Sequence, residues 1–239
     1  MKKFNFTYYF FFFYLFIINL SCSSQNSLGT ANKPYFRLPV YASHYQIQKA
    51  ILPKYQWEKN LNWIEIIPAK TGILLDIKYA TKENFLNRAV YPCGKCFVRP
   101  EVAEALLKAQ KELQKKGYGL KLFDCYRPLR MQKKMWKIKP DPMYVANPSQ
   151  GSMHNRGLAV DVTLVDKTGK EIPMGTAYDS FEKKSHSDYK NLPAKILKNR
   201  KILSEVMHKY GLEPIRTEWW HYSYRKKKYP IGRWVWDCD

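Results

Sequence analysis

Apolar positions along the chain alternate between two periods. Residues 73–79 (ILLDIKY) and 119–126 (GLKLFDCY) read as strands, and 158–165 (LAVDVTLV) is a nearly continuous apolar run of strand length. Residues 218–224 (EWWHYSY) read as a final strand. Helical spacing takes over in two longer segments. Over 101–116, Val102, Leu106, Leu107 and Leu113 share one face, with Pro100 before the segment and Gly117 after it. Over 194–210, Ile196, Leu197, Leu203, Val206 and Met207 do the same, and Gly211 stops the helix. A short helix is predicted at about 129–137, then a loop rich in Pro, Asn, Ser and Gly over 140–153. Few helices with hairpin-compatible strands predict an α+β fold, one domain over 62–237 without internal repeats.

The N-terminal pattern differs. Lys2 and Lys3 precede an unbroken apolar run from Tyr8 to Ile18, too short to span a bilayer as mature structure. This is the layout of a secretory signal peptide over 1–21. Cys22 follows Leu20-Ser21 as in a bacterial lipobox, although Asn19 stands where the common pattern has Leu. Cys22 is therefore the expected lipidation site. Residues 22–60, polar and punctuated by Gly29, Pro34 and Pro39, read as a tether and N-terminal extension.

Charge takes its meaning from that compartment. The 239 residues carry a formal net charge of +21. Residues 1–21 hold two lysines and no acid, so the mature chain would keep +19. Such a balance invites a nucleic-acid reading, but export argues against nucleic acid and for the anionic cell envelope as counter-charge. Composition, at 45% hydrophobic and 15% aromatic, excludes general disorder.

Without Cys22, four cysteines remain: Cys93, Cys96, Cys125 and Cys238. Cys93-Gly-Lys-Cys96 reads as a tight disulfide, half of a zinc knuckle, or a redox pair. No second CxxC exists to complete a knuckle, and the thioredoxin-like context of a redox pair is missing. A Cys93–Cys96 bridge is expected, with Cys125–Cys238 as the second pair.

Five histidines occur, and two have unusual neighbours: His154 in SMHNRGLAVD and His221 in EWWHY. A catalytic zinc commonly takes three His or carboxylate ligands and leaves one position for water. His154, Asp161 and His221 supply that set, with Gly157 giving the chain room to turn between the first two. Glu218, three residues before His221, is placed to take a proton from water. Asp161, within an apolar run, either faces solvent or has a buried partner, and period-2 spacing does not decide which. His44, His186 and His208 read as structural, Trp219 and Trp220 as core, and Arg225-Lys226-Lys227-Lys228 as a solvated face.

SMHNRGLAVD resembles the SxHxxGxAxD motif of the VanX-type D-alanyl-D-alanine dipeptidases, and EWWHY resembles their ExWH motif. DCYRP (124–128), DIKYAT with NF (76–81, 84–85) and MGTAYD (174–179) resemble three further segments, in the family's order, over about 150 residues. The resemblance implies a VanX/Hedgehog-like zinc-peptidase domain: a small, mostly antiparallel sheet flanked by helices, with one Zn2+. It implies His154, Asp161 and His221 as zinc ligands and Glu218 as general base. It further implies Arg127 as oxyanion stabiliser, Asp179 as ammonium binder and Ser152 as carboxylate binder. Such a division suits a zwitterionic dipeptide, whose two charged ends need one fixed anion and fixed donors. Cys125 departs from the family's Gly. The implied activity is hydrolysis of D-Ala-D-Ala in wall turnover or recycling. The alternatives are a D,D- or L,D-carboxypeptidase acting on peptidoglycan stem peptides, and a non-catalytic zinc-containing wall-binding lipoprotein.

Overall fold

The computed structural model describes residues 63–238. The expected signal peptide, the tether and Cys22 lie outside the described residues.

The central sheet has five strands in the order β2-β4-β5-β7-β6. These are β2 (Leu74–Leu75), β4 (Gly119–Asp124), β5 (Ala159–Val165), β6 (Leu212–Pro214) and β7 (His221–Tyr224). Only the β2–β4 pair is parallel; the other three pairings are antiparallel. A separate two-stranded ribbon joins β1 (Ile64–Glu65) to β3 (Phe97–Val98). Among the described residues the helices are a single turn α1 (Pro68–Thr71), α2 (Pro100–Lys115), α3 (Leu129–Ile138) and α4 (Ala194–Lys209). Helices α2 and α4 pack on each other and against β4 and β5. The fold is mixed α+β, with few helices and small sheets.

Helix α2 forms where the apolar spacing puts it. Pro100, which has no N–H to satisfy, takes the first helical position, and Val102, Leu106 and Leu113 are fully buried. Strand β5 is buried along its whole length, so its inward and outward faces do not separate by polarity. Val160, Val162 and Leu164 enter the hydrophobic core. Ala159, Asp161 and Thr163 alternate to the opposite face.

Three expectations change. The strand predicted over 73–79 is only Leu74–Leu75, and the chain then enters a 3₁₀ turn at Lys78–Ala80. One further bond to β4, from Asp76 N to Leu122 O, follows the paired residues; beyond it the Tyr79 carbonyl is taken by the N–H groups of Val90 and Tyr91, so the ladder is not continued. The final strand begins at His221 rather than 218.

The disulfides also differ: Cys93 joins Cys238 and Cys96 joins Cys125, not Cys93–Cys96 and Cys125–Cys238. Cys96 precedes β3 and is fully buried, and Tyr126 N donates to Phe97 O, so Cys96 faces the end of β4 rather than its neighbour in sequence. Cys93 meets the C-terminal segment, where Trp236 Nε1 donates to its carbonyl and Lys95 Nζ donates to Asp237 O.

Candidate metal centre

The site forms where β4, β5 and β7 bring one row of residues into register. Asp161 lies opposite His221 on β7 and opposite Asp124 on β4. Alternation along β4 from Leu122, which faces Val162, would place Asp124 opposite Val160, toward the core. A bulge at Phe123 adds one residue to β4 and moves Asp124 opposite Asp161 instead.

His154 arrives from outside the sheet, on a 3₁₀ turn at His154–Arg156 closed by Gly157 at φ 70°. A Cβ at position 157 would come within 2.2 Å of Trp63 Cζ3, so close packing as well as the left-handed backbone requires glycine. Glu218 precedes β7. Residues three apart on one strand point to opposite faces. Because the strand starts only at His221, Glu218 turns to the same side, with Oε2 3.7 Å from His221 Nδ1.

The donor atoms form a triangle. His154 Nε2 lies 3.1 Å from His221 Nδ1 and 3.3 Å from Asp161 Oδ1, and the last two are 3.1 Å apart. All three residues are buried. Zinc bonds of about 2.0–2.1 Å in a tetrahedron separate ligand atoms by about 3.3 Å, so the spacing fits zinc. The outer nitrogens are occupied. His154 Nδ1 is 2.8 Å from the Cys125 carbonyl and His221 Nε2 is 2.8 Å from Ser223 Oγ. A carbonyl only accepts, so His154 Nδ1 carries the proton and Nε2 presents its lone pair. Tyr178 Oη donates to the second oxygen of Asp161 at 2.9 Å.

Electrostatics separate the carboxylates. Burial works against Asp161, but His154 and His221 hold its pKa far below the usual range. Burial also opposes charge on His154, yet Asp161 and Asp124 raise its pKa, whereas burial lowers that of His221. Burial, with Asp161 and Asp179 nearby, raises Glu218 well above an ordinary glutamate. Burial, then Asp161, pushes Asp179 up to about 7. Tyr79 Oη donates to both Asp179 oxygens, at 3.2 and 3.1 Å.

Arg127 is anchored from behind. Its Nε and Nη2 donate to Asp124 Oδ2 at 3.1 and 2.7 Å, and Nη1 donates to Gln132 Oε1 at 3.0 Å. One N–H on each terminal nitrogen is left over from those three bonds. Gln132 in turn donates to Ala146 O, fastening the 140–153 loop. Ser152 lines the cleft, with its hydroxyl donating to Asn155 Oδ1 at 3.1 Å.

The structure therefore brings Ser152, His154, Asp161, Arg127, Asp179, Glu218 and His221 around one cleft. Sequence reasoning missed Tyr79, Asp124 and Tyr178. Each lies inside a quoted segment (DIKYAT, DCYRP, MGTAYD), which was the signal available.

The buried His-Asp-His triangle could hold a metal ion, and the Glu218 carboxyl lies beside it, the arrangement of a metallopeptidase centre. Residues 63–233 match the family described as D-ala-D-ala dipeptidase. The D-alanyl-D-alanine dipeptidase of Escherichia coli K12 is 34% identical over 158 residues, covering 66% of this chain and 82% of that protein. That of Enterococcus faecium is 34% identical over 180 residues, covering 66% and 89%. Among solved structures, the D,D-pentapeptidase VanY of a VanB-type resistance cassette, in complex with Zn(II), gives a TM-score of 0.36. It is 17% identical, over 54% of this chain and 73% of that one. The chain belongs to the D-Ala-D-Ala dipeptidase family.

Proposed function

We propose that this protein is a zinc-dependent dipeptidase that splits D-Ala-D-Ala into two molecules of D-alanine. The observation that carries the substrate class is Asp179. Its half-buried carboxyl lies in the cleft, where burial and Asp161 push its pKa up to about 7, and a cation bound beside it would favour its charged form. A free dipeptide brings an ammonium close to its scissile bond. A longer stem peptide has a neutral amide there and would leave Asp179 unpaired. Phe85, Tyr144 and Phe181 wall the same cleft, whose volume is about 200 Å³, and the Phe181 ring contacts both of the others.

His154, Asp161 and His221 would hold the zinc. Bound there, zinc supplies Lewis acidity toward the scissile carbonyl and the attacking water. Glu218 accepts the proton of that water and passes it to the departing amine. Its raised pKa suits both halves of the transfer. Arg127, held in place by Asp124 and Gln132, would present its guanidinium to the oxygen where negative charge develops. Asp179 holds the substrate ammonium. Ser152 binds the substrate carboxylate at the cleft edge, exchanging its bond to Asn155 for one to the ligand.

The test compares D-Ala-D-Ala, N-acetyl-D-Ala-D-Ala and a pentapeptide stem on the zinc-loaded protein. Release of D-alanine from the free dipeptide alone is expected. Equal cleavage of the acetylated or longer peptide would replace the dipeptidase by a carboxypeptidase. No cleavage of any of them would leave a zinc-holding binding protein.

The export signal in residues 1–21 and the cysteine at 22 support a location in the cell envelope, with a lipid anchor on Cys22. The excess of basic residues suits that anionic surface. In that location the enzyme would recycle wall-derived dipeptide. Cell fractionation with labelled palmitate tests this, and recovery from the cytosol would refute it.

A further inference from the structure

We propose that the Cys96–Cys125 disulfide is a positioning device for the zinc centre, holding the Cys125 carbonyl that orients His154. The inference rests on the zinc-peptidase reading above.

Cys125 stands at a crowded point of the site. Before it, Asp124 anchors the Arg127 guanidinium. Its own carbonyl meets His154 Nδ1 at 2.8 Å. Two residues later, Arg127 N donates to His154 O at 3.1 Å. One short segment, 124–127, thus sets both the arginine and a metal-facing ring.

That segment has left the sheet, since β4 ends at Asp124. Ladder bonds no longer fix its backbone. Two links tie it to residues 96–97: the hydrogen bond from Tyr126 N to Phe97 O at 2.9 Å, and the Cys96–Cys125 disulfide. Both cysteines are buried, with Cα atoms 5.4 Å apart. Farther along, Arg127 is held by its N–H to His154 O and by Asn155 Nδ2 to its carbonyl, but at Cys125 itself the tie to residues 96–97 is the disulfide, and without it the Cys125 carbonyl gains freedom to drift. A His ring that loses its outer acceptor loses its fixed tautomer and orientation, which typically costs about 10–100-fold in metal affinity.

The second disulfide provides the control. Cys93–Cys238 ties the C-terminal segment down, and neither cysteine bonds to a donor of the triangle. Trp234 and Trp236 also hold that segment, through ring contacts with Tyr126 and Phe97. A disulfide acting only on stability would make the two bridges equivalent toward zinc.

The experiment uses the full chain with two double substitutions: Cys96→Val with Cys125→Ala, which keep the sites apolar, and Cys93→Ser with Cys238→Ser. Zinc affinity is read by competition with a chromogenic chelator, cobalt(II) visible spectra report the ligand field, and unfolding temperature is read without metal. Loss of Cys96–Cys125 is expected to weaken zinc by about 10–100-fold and to alter the cobalt bands. Loss of Cys93–Cys238 is expected to lower the unfolding temperature and leave zinc affinity unchanged, since the outer partners of His154 and His221 stay intact.

Phosphine reduction of the Cys93→Ser/Cys238→Ser protein opens Cys96–Cys125 without altering either residue and gives the same reading should the first variant fail to fold. Unchanged zinc affinity and cobalt spectrum after loss of Cys96–Cys125, or equal weakening by both bridges, would overturn the positioning role. A parent protein that takes up no zinc would sink the zinc-peptidase reading itself, and this inference with it.

Discussion

Asp179→Asn should make the metal-free protein more stable and a worse enzyme. In the fold, burial and Asp161 push the Asp179 pKa up to about 7, from an ordinary 3.8. The unfolded chain releases this proton near pH 4, but the folded chain holds it until about pH 7. Asp179 therefore costs nothing below pH 4, and its penalty grows as pH rises and is complete above about 7. Three units at about 1.4 kcal/mol each give an upper bound of about 4 kcal/mol, reduced by whatever solvent screens at this half-buried position. Asn removes the charge and keeps an oxygen for the Tyr79 hydroxyl. It also tolerates the left-handed backbone, φ 58°.

Urea unfolding at pH 4 and pH 8 on zinc-free protein measures the difference, which should appear at pH 8 and vanish at pH 4. In the same variant the substrate ammonium loses its partner. Truncating one member of such a buried pair costs about 2–5 kcal/mol, so KM for D-Ala-D-Ala should rise about 30-fold or more. A variant less stable than the parent at pH 8 would mean that Asp179 is paired within the fold. An unchanged KM would remove it from substrate binding.

Glu218→Gln should keep one zinc per chain by metal analysis and lose about 10²–10⁴-fold in kcat; retained turnover would end its assignment as base. Stripping zinc should lower the unfolding temperature, since metal at a thousand times its Kd contributes about 4 kcal/mol. The stabilisation by zinc should shrink as pH falls, because His154, with its pKa raised by Asp161 and Asp124, takes protons in competition with metal. Calorimetry with and without a chelator, at two pH values, decides both points. Gly157→Ala should cost on the order of 3 kcal/mol from left-handed strain and the clash with Trp63; a denaturation midpoint equal to the parent's would refute the packing argument.

The helices were legible because their signals are local. Pro100 and Gly117 bracket α2, and the predicted 101–116 differs from Pro100–Lys115 by one residue at each end. Strand β5 was legible from its composition. The stretch after Leu75 was not, since ILLDIKY alternates as a strand does while the turn at Lys78–Ala80 is held from elsewhere. Asn84 Nδ2 donates to the carbonyls of Lys78 and Thr81, and the Tyr79 hydroxyl reaches Asp179, a hundred residues away. The disulfide pairing failed for the same reason. A spacing of three residues suggested Cys93–Cys96, but the zipping of residues 96–97 against 125–126 is a long-range event that spacing does not encode. The residues of the His154–Asp161–His221 triangle could be singled out because few histidines exist to choose from. Their supports, Asp124, Tyr79 and Tyr178, were not, because ordinary residue types acquire those roles only through distant partners.

The site depends on departures from regular structure as much as on the sheet. An unbulged β4 would turn Asp124 toward the core and leave Arg127 without its anchor. A β7 extended back to 218 would put Glu218 and His221 on opposite faces and carry the Glu218 carboxyl away from the triangle. A right-handed backbone at Gly157 would carry His154 away from β5. Each irregularity follows a residue whose side chain the chemistry needs, or precedes one. Regular periodicity was thus a good guide to the scaffold and a poor one to the cleft. The chemistry lies at the end of β4, before the start of β7 and on the turn that leads into β5, where three strands of the sheet stop being regular.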